Sequence, residues 1–310
     1  MLDYPRVSPH FLACRRSVRP LRPAHPDVVV GLSGGADSLA LVAACVAEKF
    51  AVHAVVVDHQ LQEGSAAVAE RAAEQARDLG ASAQVIAVDV VDDGVGMEAA
   101  AREARYAALR EVAGQRPVLV AHTANDQAET LLLGLLRGRA VGMSAASGQI
   151  LRPFLQIRRA DTEGACRELG LAWWSDPHNN NPAFARVAVR TRVIPELERI
   201  LGGDAVAPLA LAAERAAADE ALLAGWADGP TDDARELASL PEPVRRRQIV
   251  AWLQAHTLRV SDGVVRGIDK LVSARGTGGV AAGKVGGTRL EVRVIDGRLT
   301  VVRQEQERRV

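Results

Sequence analysis

The chain has 310 residues, with 38 basic and 38 acidic side chains, so its formal net charge is zero. Hydrophobic residues make up 48% of it, which excludes a disordered chain, and the length allows a full hydrophobic core and predicts two domains. Net charge therefore argues neither for nor against a nucleic-acid partner, and only local clusters of charge can do so.

Three cysteines, Cys14, Cys45 and Cys166, are too few and too scattered for a disulfide framework or a zinc site, which fits a reducing compartment. No run of about 18 apolar residues predicts a membrane span. The arginine- and proline-containing N-terminus has no apolar segment typical of a signal peptide. We therefore expect a cytoplasmic protein with no membrane partner.

Short apolar strands alternate with helical patterns in the first two thirds of the chain. In chain order we predict strand 28–32, helix 38–50, strand 52–57, helix 66–79, strand 84–88, helix 97–113, strand 118–121 and helix 126–136. This alternation predicts an α/β fold, a doubly wound, Rossmann-like parallel sheet with helices on both faces. Such sheets bind ligands beyond the carboxyl ends of their strands.

The pattern changes after residue 205. Helical patterns at 205–227, 243–256 and 260–274 are followed by hairpin-like alternation from 276 to 302, with a turn at Asp296-Gly297. We therefore expect an irregular N-terminal arm at 1–27, a catalytic domain at 28–205 and a smaller α+β domain at 206–310.

The first strand ends in Ser33-Gly34-Gly35-Ala36-Asp37-Ser38, which opens directly onto a helix. The glycines let backbone N–H groups approach phosphate oxygens, and the helix start adds the positive end of its dipole. Ser33 and Ser38 add hydroxyl donors. Asp37 would repel an anion unless it holds Mg²⁺ beside the phosphates, so the string predicts a nucleotide phosphate loop rather than an ordinary capped turn.

The helix predicted at 97–113 carries Glu98, Arg102 and Arg105 at spacings of four and three, which place all three on one face. An exposed face with salt bridges would have the same pattern. The sequence alone therefore leaves a catalytic and a purely structural interpretation of this face open.

The segment 122–130, His122-Thr123-Ala124-Asn125-Asp126-Gln127-Ala128-Glu129-Thr130, follows the fourth strand. Asp126 and Glu129 are three residues apart, so both carboxylates face the same way at the start of a helix, an arrangement that suits Mg²⁺ or a cationic amine. Acidic capping of a helix N-terminus is the alternative.

Basic residues accumulate from 137 to 167, where six arginines stand against Asp161 and Glu163. Arg186, Arg190 and Arg192 extend this excess. Guanidinium groups suit bidentate contacts with phosphate, and a solvated surface in an arginine-rich chain has the same composition, so the sequence leaves both interpretations of this excess open.

The phosphate loop resembles that of the N-type ATP pyrophosphatases, and the combined segments resemble the tRNA(Ile)-lysidine synthetase family over residues 28–200. The matching pieces are Ser33–Ser38, Asp58-His59, Gly96–Tyr106, His122–Thr130, Arg152-Pro153 and Asp176–Pro195. The chain departs from the family at His178, where a serine is usual, and at Val187, where an asparagine is usual.

The resemblance implies an enzyme that uses ATP and Mg²⁺ to adenylate the wobble cytidine of the CAU-anticodon isoleucine tRNA. L-lysine then replaces AMP, giving lysidine, and the smaller domain binds the tRNA. The implied nucleotide-binding residues are the loop from Ser33 to Ser38 with Asp58, His59 and His122. The implied catalytic residues are Asp37, Arg102, Asp126 and Glu129. We expect Mg²⁺ on Asp37 and Asp126 and the lysine ammonium on Glu129, and the sequence leaves open which carboxylate binds the metal and which binds lysine. The implied RNA contacts are Arg105, Arg152, Asn179, Arg186 and Arg190.

Two alternatives remain. A tRNA thiolase could use the same loop, but such enzymes usually need paired cysteines, and the chain has no Cys-x-x-Cys. A PP-loop protein could also bind tRNA without catalysis. The sequence leaves the oligomeric state open, with a homodimer as one arrangement.

Overall fold

The structure, a computed structural model, describes residue 5 and residues 7–60, 64–90, 96–174, 184–226, 229–274, 278–286 and 288–304. The chain divides into two compact units, Met1–Ala217 and Ala218–Val310. Among the described residues, no helix is long and apolar enough to cross a membrane.

The first unit is built on a six-stranded sheet in the order β3-β2-β1-β4-β6-β5, parallel except for β5, which runs antiparallel to β6. Its strands are β1 (Asp27–Leu32), β2 (Ala51–Asp58), β3 (Ser82–Ala87), β4 (Val118–Leu119), β5 (Ala146–Ser147) and β6 (Ile150–Leu151). The predicted doubly wound parallel sheet is confirmed, and the short β5–β6 hairpin was not predicted.

Helices connect and flank these strands. They are α1 (Pro9–Val18), α2 (Ala36–Ala47), α3 (Ser65–Asp78), α4 (Met97–Ala113), α5 (Ala124–Leu135), α6 (Arg159–Glu168), α7 (Ala185–Ala188), α8 (Ile194–Leu201) and α9 (Val206–Gly225), with a 3-10 turn at Arg19–Leu21 and a π-helical turn at Val189–Val193. The strand β1 lies at the centre, and Val28, Val29 and Val30 are fully buried because helices cover both faces.

The N-terminal arm predicted to be irregular is instead partly helical, so that prediction was wrong for α1. Phe11, Cys14 and Val18 recur on one helical face and are fully buried in the main core. The carboxylate of Glu168 accepts the backbone N–H groups of His10 (3.2 Å) and Phe11 (2.8 Å), which satisfies the start of the helix. Packing against α2 and α6 therefore stabilises a segment whose local composition gives a weak helical signal.

The boundary between the two units falls within α9, whereas the sequence placed the domain boundary at residues 205 and 206, where this helix begins. The first half of α9 packs into the first unit, since Val206 lies in a core cluster with Ala128 and Ile194. The helical pattern marks the start of an element but does not report which core the element joins.

The second unit combines α10 (Ala234–Ser239), α11 (Glu242–Ala255) and α12 (Asp262–Ser273) with an antiparallel sheet of β7 (Gly279–Val285), β8 (Thr288–Ile295) and β9 (Arg298–Gln304). The side chains of Leu237, Ile249, Leu253, Ile268 and Val292 are fully buried in its core. The predicted α+β character of this part is confirmed.

Candidate active site

A cavity of about 530 Å³ opens at the carboxyl ends of β1, β2 and β4. Its walls include the phosphate loop, the apolar residues Val55, Val57 and Leu109, and a polar group around Asp126. This volume lies in the usual range for small-molecule sites. The position matches the edge at which parallel α/β sheets bind ligands.

The phosphate loop is held in shape by its own hydroxyl groups. The Ser33 backbone N–H donates to Ser38 Oγ (3.1 Å), and Ser38 Oγ donates to the Gly35 carbonyl oxygen (3.0 Å). Gly34 has a φ of +79°, and a Cβ there would lie 3.2 Å from the Ala72 side chain. Glycine is thus required both by the backbone conformation and by the close approach of α3.

The loop presents Asp37 in the first turn of α2, and Thr162 of α6 donates its hydroxyl to the Asp37 carboxylate. Burial raises the pKa of Asp37, the repulsion of Asp126 adds to this rise, and Arg159 and Thr162 oppose it. The pocket therefore holds this carboxylate as an under-compensated charge that a further cation would stabilise.

Asp126 comes to the same cavity from the start of α5. Its Oδ2 accepts the backbone N–H (2.8 Å) and the hydroxyl (2.9 Å) of Thr123, which forms a capping box. Burial raises its pKa, but Arg159 and the Thr123 hydrogen bonds outweigh this, so the net pKa is lowered. Asp126 therefore caps the helix α5 with Oδ2 and also lies in the cavity wall, where its Oδ1 accepts a hydrogen bond from Arg159.

Arg159, the first residue of α6, contacts three carboxylates, one with each guanidinium nitrogen. Nε lies 3.6 Å from Asp37 Oδ2, one terminal nitrogen lies 3.1 Å from Asp126 Oδ1, and the other lies 3.3 Å from Glu129 Oε1. Its backbone N–H donates to Asn125 Oδ1 (3.0 Å). The sequence counted this arginine in a basic excess but did not assign it to the site.

Glu129 is completely buried and is an ion-pair centre for three arginines. Besides Arg159, its oxygens accept from Arg190 Nε at 2.7 Å and lie 3.3 Å from Arg186 Nε. The π-helical turn at Val189–Val193 positions Arg190, and such turns are frequent at functional sites. The expectation that Glu129 receives the lysine ammonium does not fit, because both oxygens are occupied and the side chain has no exposed area.

The guanidinium groups of Arg102 and Arg105, two of the three arginines of α4, lie close to the ring of Tyr106. The guanidinium carbon of Arg102 is 5.0 Å from the centre of the tyrosine ring and that of Arg105 is 5.5 Å away. Arg105 lines the cavity and its pKa is lowered, chiefly by burial, whereas Arg102 is exposed and lies 3.3 Å from the tyrosine hydroxyl. Arg105 therefore lies in the cavity wall, whereas Arg102 is not among the described residues that line the cavity.

His122 lies between these arginines and Asp126. Burial, together with the charges of Arg102, Arg152 and Arg105, lowers the pKa of His122 to about 4 against the attraction of Asp126. Among the described residues, neither His122 Nδ1 nor Arg152 Nε has a hydrogen-bond partner. His122 is therefore neutral at physiological pH, and a ligand with polar atoms would satisfy these groups.

The remaining predicted residues are less central. Asp58 and His59 lie at the end of β2 and are not among the described residues that line the cavity. The pKa of His59 is lowered by burial and by Arg105, and its Nδ1 also lacks a partner within the described part of the chain. Asn179 lies outside the described residues.

The sequence interpretation did not assign five residues of the cavity wall, namely Tyr106, Arg159, Trp173, Trp174 and Thr191. It also did not assign Thr162, which contacts Asp37. Trp174 is fixed beside the phosphate loop, since its backbone N–H donates to the Gly34 carbonyl oxygen (2.9 Å). The two adjacent tryptophans in an aromatic-poor chain were the one local signal available. Tyr106 comes from α4, Arg159 and Thr162 come from α6, and Thr191 comes from the π-helical turn before α8.

The carboxylate pair fits a magnesium ion. In the described parts of the chain, no group of three or more His, Cys, Asp or Glu residues could hold a metal. Mg²⁺ commonly binds through only one or two carboxylates, with water and substrate phosphates completing its shell. Asp37 and Asp126, beside a phosphate loop, provide such a donor set.

Comparison with known proteins places the chain in a family. Residues 13–197 match the model of a PP-loop domain. The chain is 49% identical to the tRNA(Ile)-lysidine synthase of Corynebacterium glutamicum, over 97% of each chain. It is 51% identical to that of Corynebacterium diphtheriae, over 96% of this chain and 98% of the other.

A solved structure, the U34-tRNA thiolase NcsA from Methanococcus maripaludis with its 4Fe-4S cluster, matches with a TM-score of 0.53 and 16% identity, over 66% of this chain and 77% of the other. At that identity the match supports the fold alone. The PP-loop model and the full-length relatives decide the family, and the chain therefore belongs to the tRNA(Ile)-lysidine synthase family of PP-loop proteins.

Proposed function

We propose that this enzyme uses ATP to join L-lysine to the wobble cytidine of the CAU-anticodon isoleucine tRNA, releasing AMP and diphosphate. The observation that carries the proposal is the meeting of Asp37, Asp126 and the phosphate loop in one cavity, in a chain whose full-length relatives are lysidine synthases. A phosphate loop with a carboxylate pair suits attack at the α-phosphorus of ATP with diphosphate as the leaving group.

In this proposal the loop from Ser33 to Ser38 binds the phosphates, and the apolar wall around Val55 and Val57 receives the adenine. Asp37 and Asp126 would hold Mg²⁺, which supplies charge neutralisation at the phosphates when bound. The magnesium assignment rests on the donor set described above.

The cytidine carbonyl oxygen attacks the α-phosphorus, and diphosphate leaves. The lysine ε-amine then attacks the activated ring carbon, and AMP leaves with the bond electrons. Arg102 would stabilise the charge that develops on the cytidine adenylate. Unstacking the cytidine into the cavity precedes both steps, as in other base-modifying enzymes.

The attacking amine must first lose a proton, and a free lysine amine has a pKa near 10.4. Desolvation and the positive charges of Arg105 and Arg190 in the cavity wall would lower the pKa of a bound amine. The carboxylates of Asp37, Asp126 and Glu163 in the same wall oppose this effect until a cation neutralises the aspartate pair. We assign Glu129 the task of holding Arg159 and Arg190 in place, rather than direct contact with lysine.

The cysteines disfavour a tRNA thiolase. Cys14, Cys45 and Cys166 are all buried. Burial is the main cause that raises the pKa of Cys14 and of Cys166 to about 12, so neither thiol is an effective nucleophile near neutral pH.

The test is mass analysis of anticodon nucleosides after incubation of the purified protein with ATP, L-lysine and the CAU-anticodon isoleucine tRNA. We expect lysidine, with AMP formed in equal amount, and neither product with Asp37→Ala. The elongator methionine tRNA, which shares the CAU anticodon, serves as the substrate control. A thiolated nucleoside, or tRNA binding without AMP release, would overturn the proposal in favour of one of the two alternatives.

A further inference from the structure

The guanidinium of Arg159 lies at the centre of the site carboxylates. Its three nitrogens lie at 3.6, 3.1 and 3.3 Å from oxygens of Asp37, Asp126 and Glu129. One cation therefore bridges carboxylates from α2 and α5, which are remote in sequence. This is the position that a metal shared by Asp37 and Asp126 would need.

The surrounding charges explain why a cation is needed there. Three acidic groups, Asp37, Asp126 and Glu129, come together with side chains that are 26%, 12% and 0% exposed. Arg186 and Arg190 contact Glu129 and have no ion pair with the two aspartates among the described residues. Arg159 is thus the guanidinium that compensates the aspartate pair.

We infer that Arg159 is the resident cation of the aspartate pair and that Mg²⁺ must displace its guanidinium from Asp37 and Asp126 before ATP can be activated. This inference rests on the proposed function, which assigns Mg²⁺ to the two aspartates. The displaced side chain stays anchored at Glu129 and remains in the cavity wall, where the nucleotide phosphates become its new partners.

Competition of this kind has a physical basis. A guanidinium and a divalent cation at one carboxylate pair repel each other, and the hydrogen bonds from this charged donor must be broken before the metal can bind. The free enzyme therefore binds metal less tightly than the bare aspartate pair would. ATP offsets this difference because it supplies both metal ligands and acceptors for the released guanidinium.

The test is titration of the free protein with Mn²⁺, followed by electron paramagnetic resonance in the absence of ATP and tRNA. We expect Arg159→Met to bind Mn²⁺ about tenfold more tightly than wild type, or better, since one such hydrogen bond is worth at least that factor. Arg159→Lys, which keeps the charge, should gain much less. Arg158→Met, which removes the neighbouring arginine that pairs with Asp204, is the matched control and should bind as wild type.

With ATP present, wild type should bind Mn²⁺ more tightly than Arg159→Met. The variant lacks the guanidinium that would contact the nucleotide phosphates, so ATP raises its affinity for Mn²⁺ less. Melting curves establish that each variant is folded. If Arg159→Met does not fold, Arg159→Gln, which also removes the charge, takes its place and should likewise bind Mn²⁺ more tightly than wild type.

The outcomes separate the two hypotheses. If Asp37→Asn removes Mn²⁺ binding from Arg159→Met while Arg159→Met itself binds no more tightly than wild type, the displacement model is wrong and the metal assignment stands. If Asp37→Asn leaves Mn²⁺ binding unchanged in both backgrounds, the metal assignment itself is wrong. Lysidine formation by wild type, measured in parallel, reports on the proposed function independently.

Discussion

Replacing Glu129 with glutamine tests whether this residue is a structural ion-pair centre or a contact for the lysine substrate. The side chain is fully buried, and its oxygens face Arg159, Arg186 and Arg190, which are 20%, 34% and 27% exposed. Glutamine keeps the size but loses the charge, and its amide N–H₂ must face a guanidinium. Three partly buried cations would then lose their shared counter-ion.

Breaking a buried ion pair by removing one partner costs about 3 to 5 kcal/mol. The arginines keep some access to water, so we expect the lower end, about 3 kcal/mol. At about 2 to 4 °C per kcal/mol for a unit of this size, the melting temperature should fall by about 6 to 12 °C. Adenylation and lysine transfer should decline together, because Arg159 and Arg190 both line the reaction cavity.

The assay combines thermal unfolding with single-turnover measurement of AMP release and lysidine formation. Glu70→Gln is the control, since Glu70 pairs with Arg77 at a half-exposed position and such pairs contribute about 1 kcal/mol or less. An unchanged melting temperature with selective loss of lysine transfer would refute the reasoning. That result would return Glu129 to the role of lysine acceptor.

Three further predictions concern the neighbouring charges. Burial raises the pKa of Asp37, so its ionised form destabilises the fold, and stability is lost as the pH rises through the folded-state pKa. Asp37→Asn should therefore have a higher melting temperature than wild type at pH 7, and the difference should shrink as the pH is lowered. The same variant should release no AMP. A lower melting point at pH 7 would show that attraction to the neighbouring arginine outweighs burial. Arg102→Ala should slow the chemical step about a hundredfold or more, which corresponds to an activation free energy higher by about 2.7 kcal/mol, whereas Arg105→Ala should mainly weaken tRNA binding or stability. Single-turnover rates at saturating tRNA distinguish the two effects, and the opposite pattern would exchange the two roles. The logarithm of the tRNA association constant should fall with the logarithm of the salt concentration at a slope of about −3, as for about four neutralised phosphates. Reversing the charges of the exposed Arg137 and Arg139 should make this slope less steep. A slope near zero in wild type would mean that the arginine excess is only compositional.

The sequence by itself determined the features that local patterns encode. The string from Ser33 to Ser38 lies between a buried strand and a helix, and this order fixes a phosphate loop because each part of it is contiguous in the chain. The three-residue spacing of Asp126 and Glu129 correctly placed both carboxylates on one face of α5, since Arg159 contacts both. Hydrophobic periodicity likewise predicted the sheet, because it reports which face of an element is buried.

Tertiary structure alone decided the partners of those groups. Periodicity does not report what a buried face packs against, so α1 looked like an irregular arm until the contacts of Phe11 with the core were seen. In the same way, the spacing of Asp126 and Glu129 shows that both carboxylates face the same side of α5, but not that Asp126 lines the cavity while Glu129 is fully buried among arginines. Arg159 reaches both carboxylates because α6 packs against α2. Ion pairs between residues this far apart in the chain depend on how the helices pack, which no local pattern encodes.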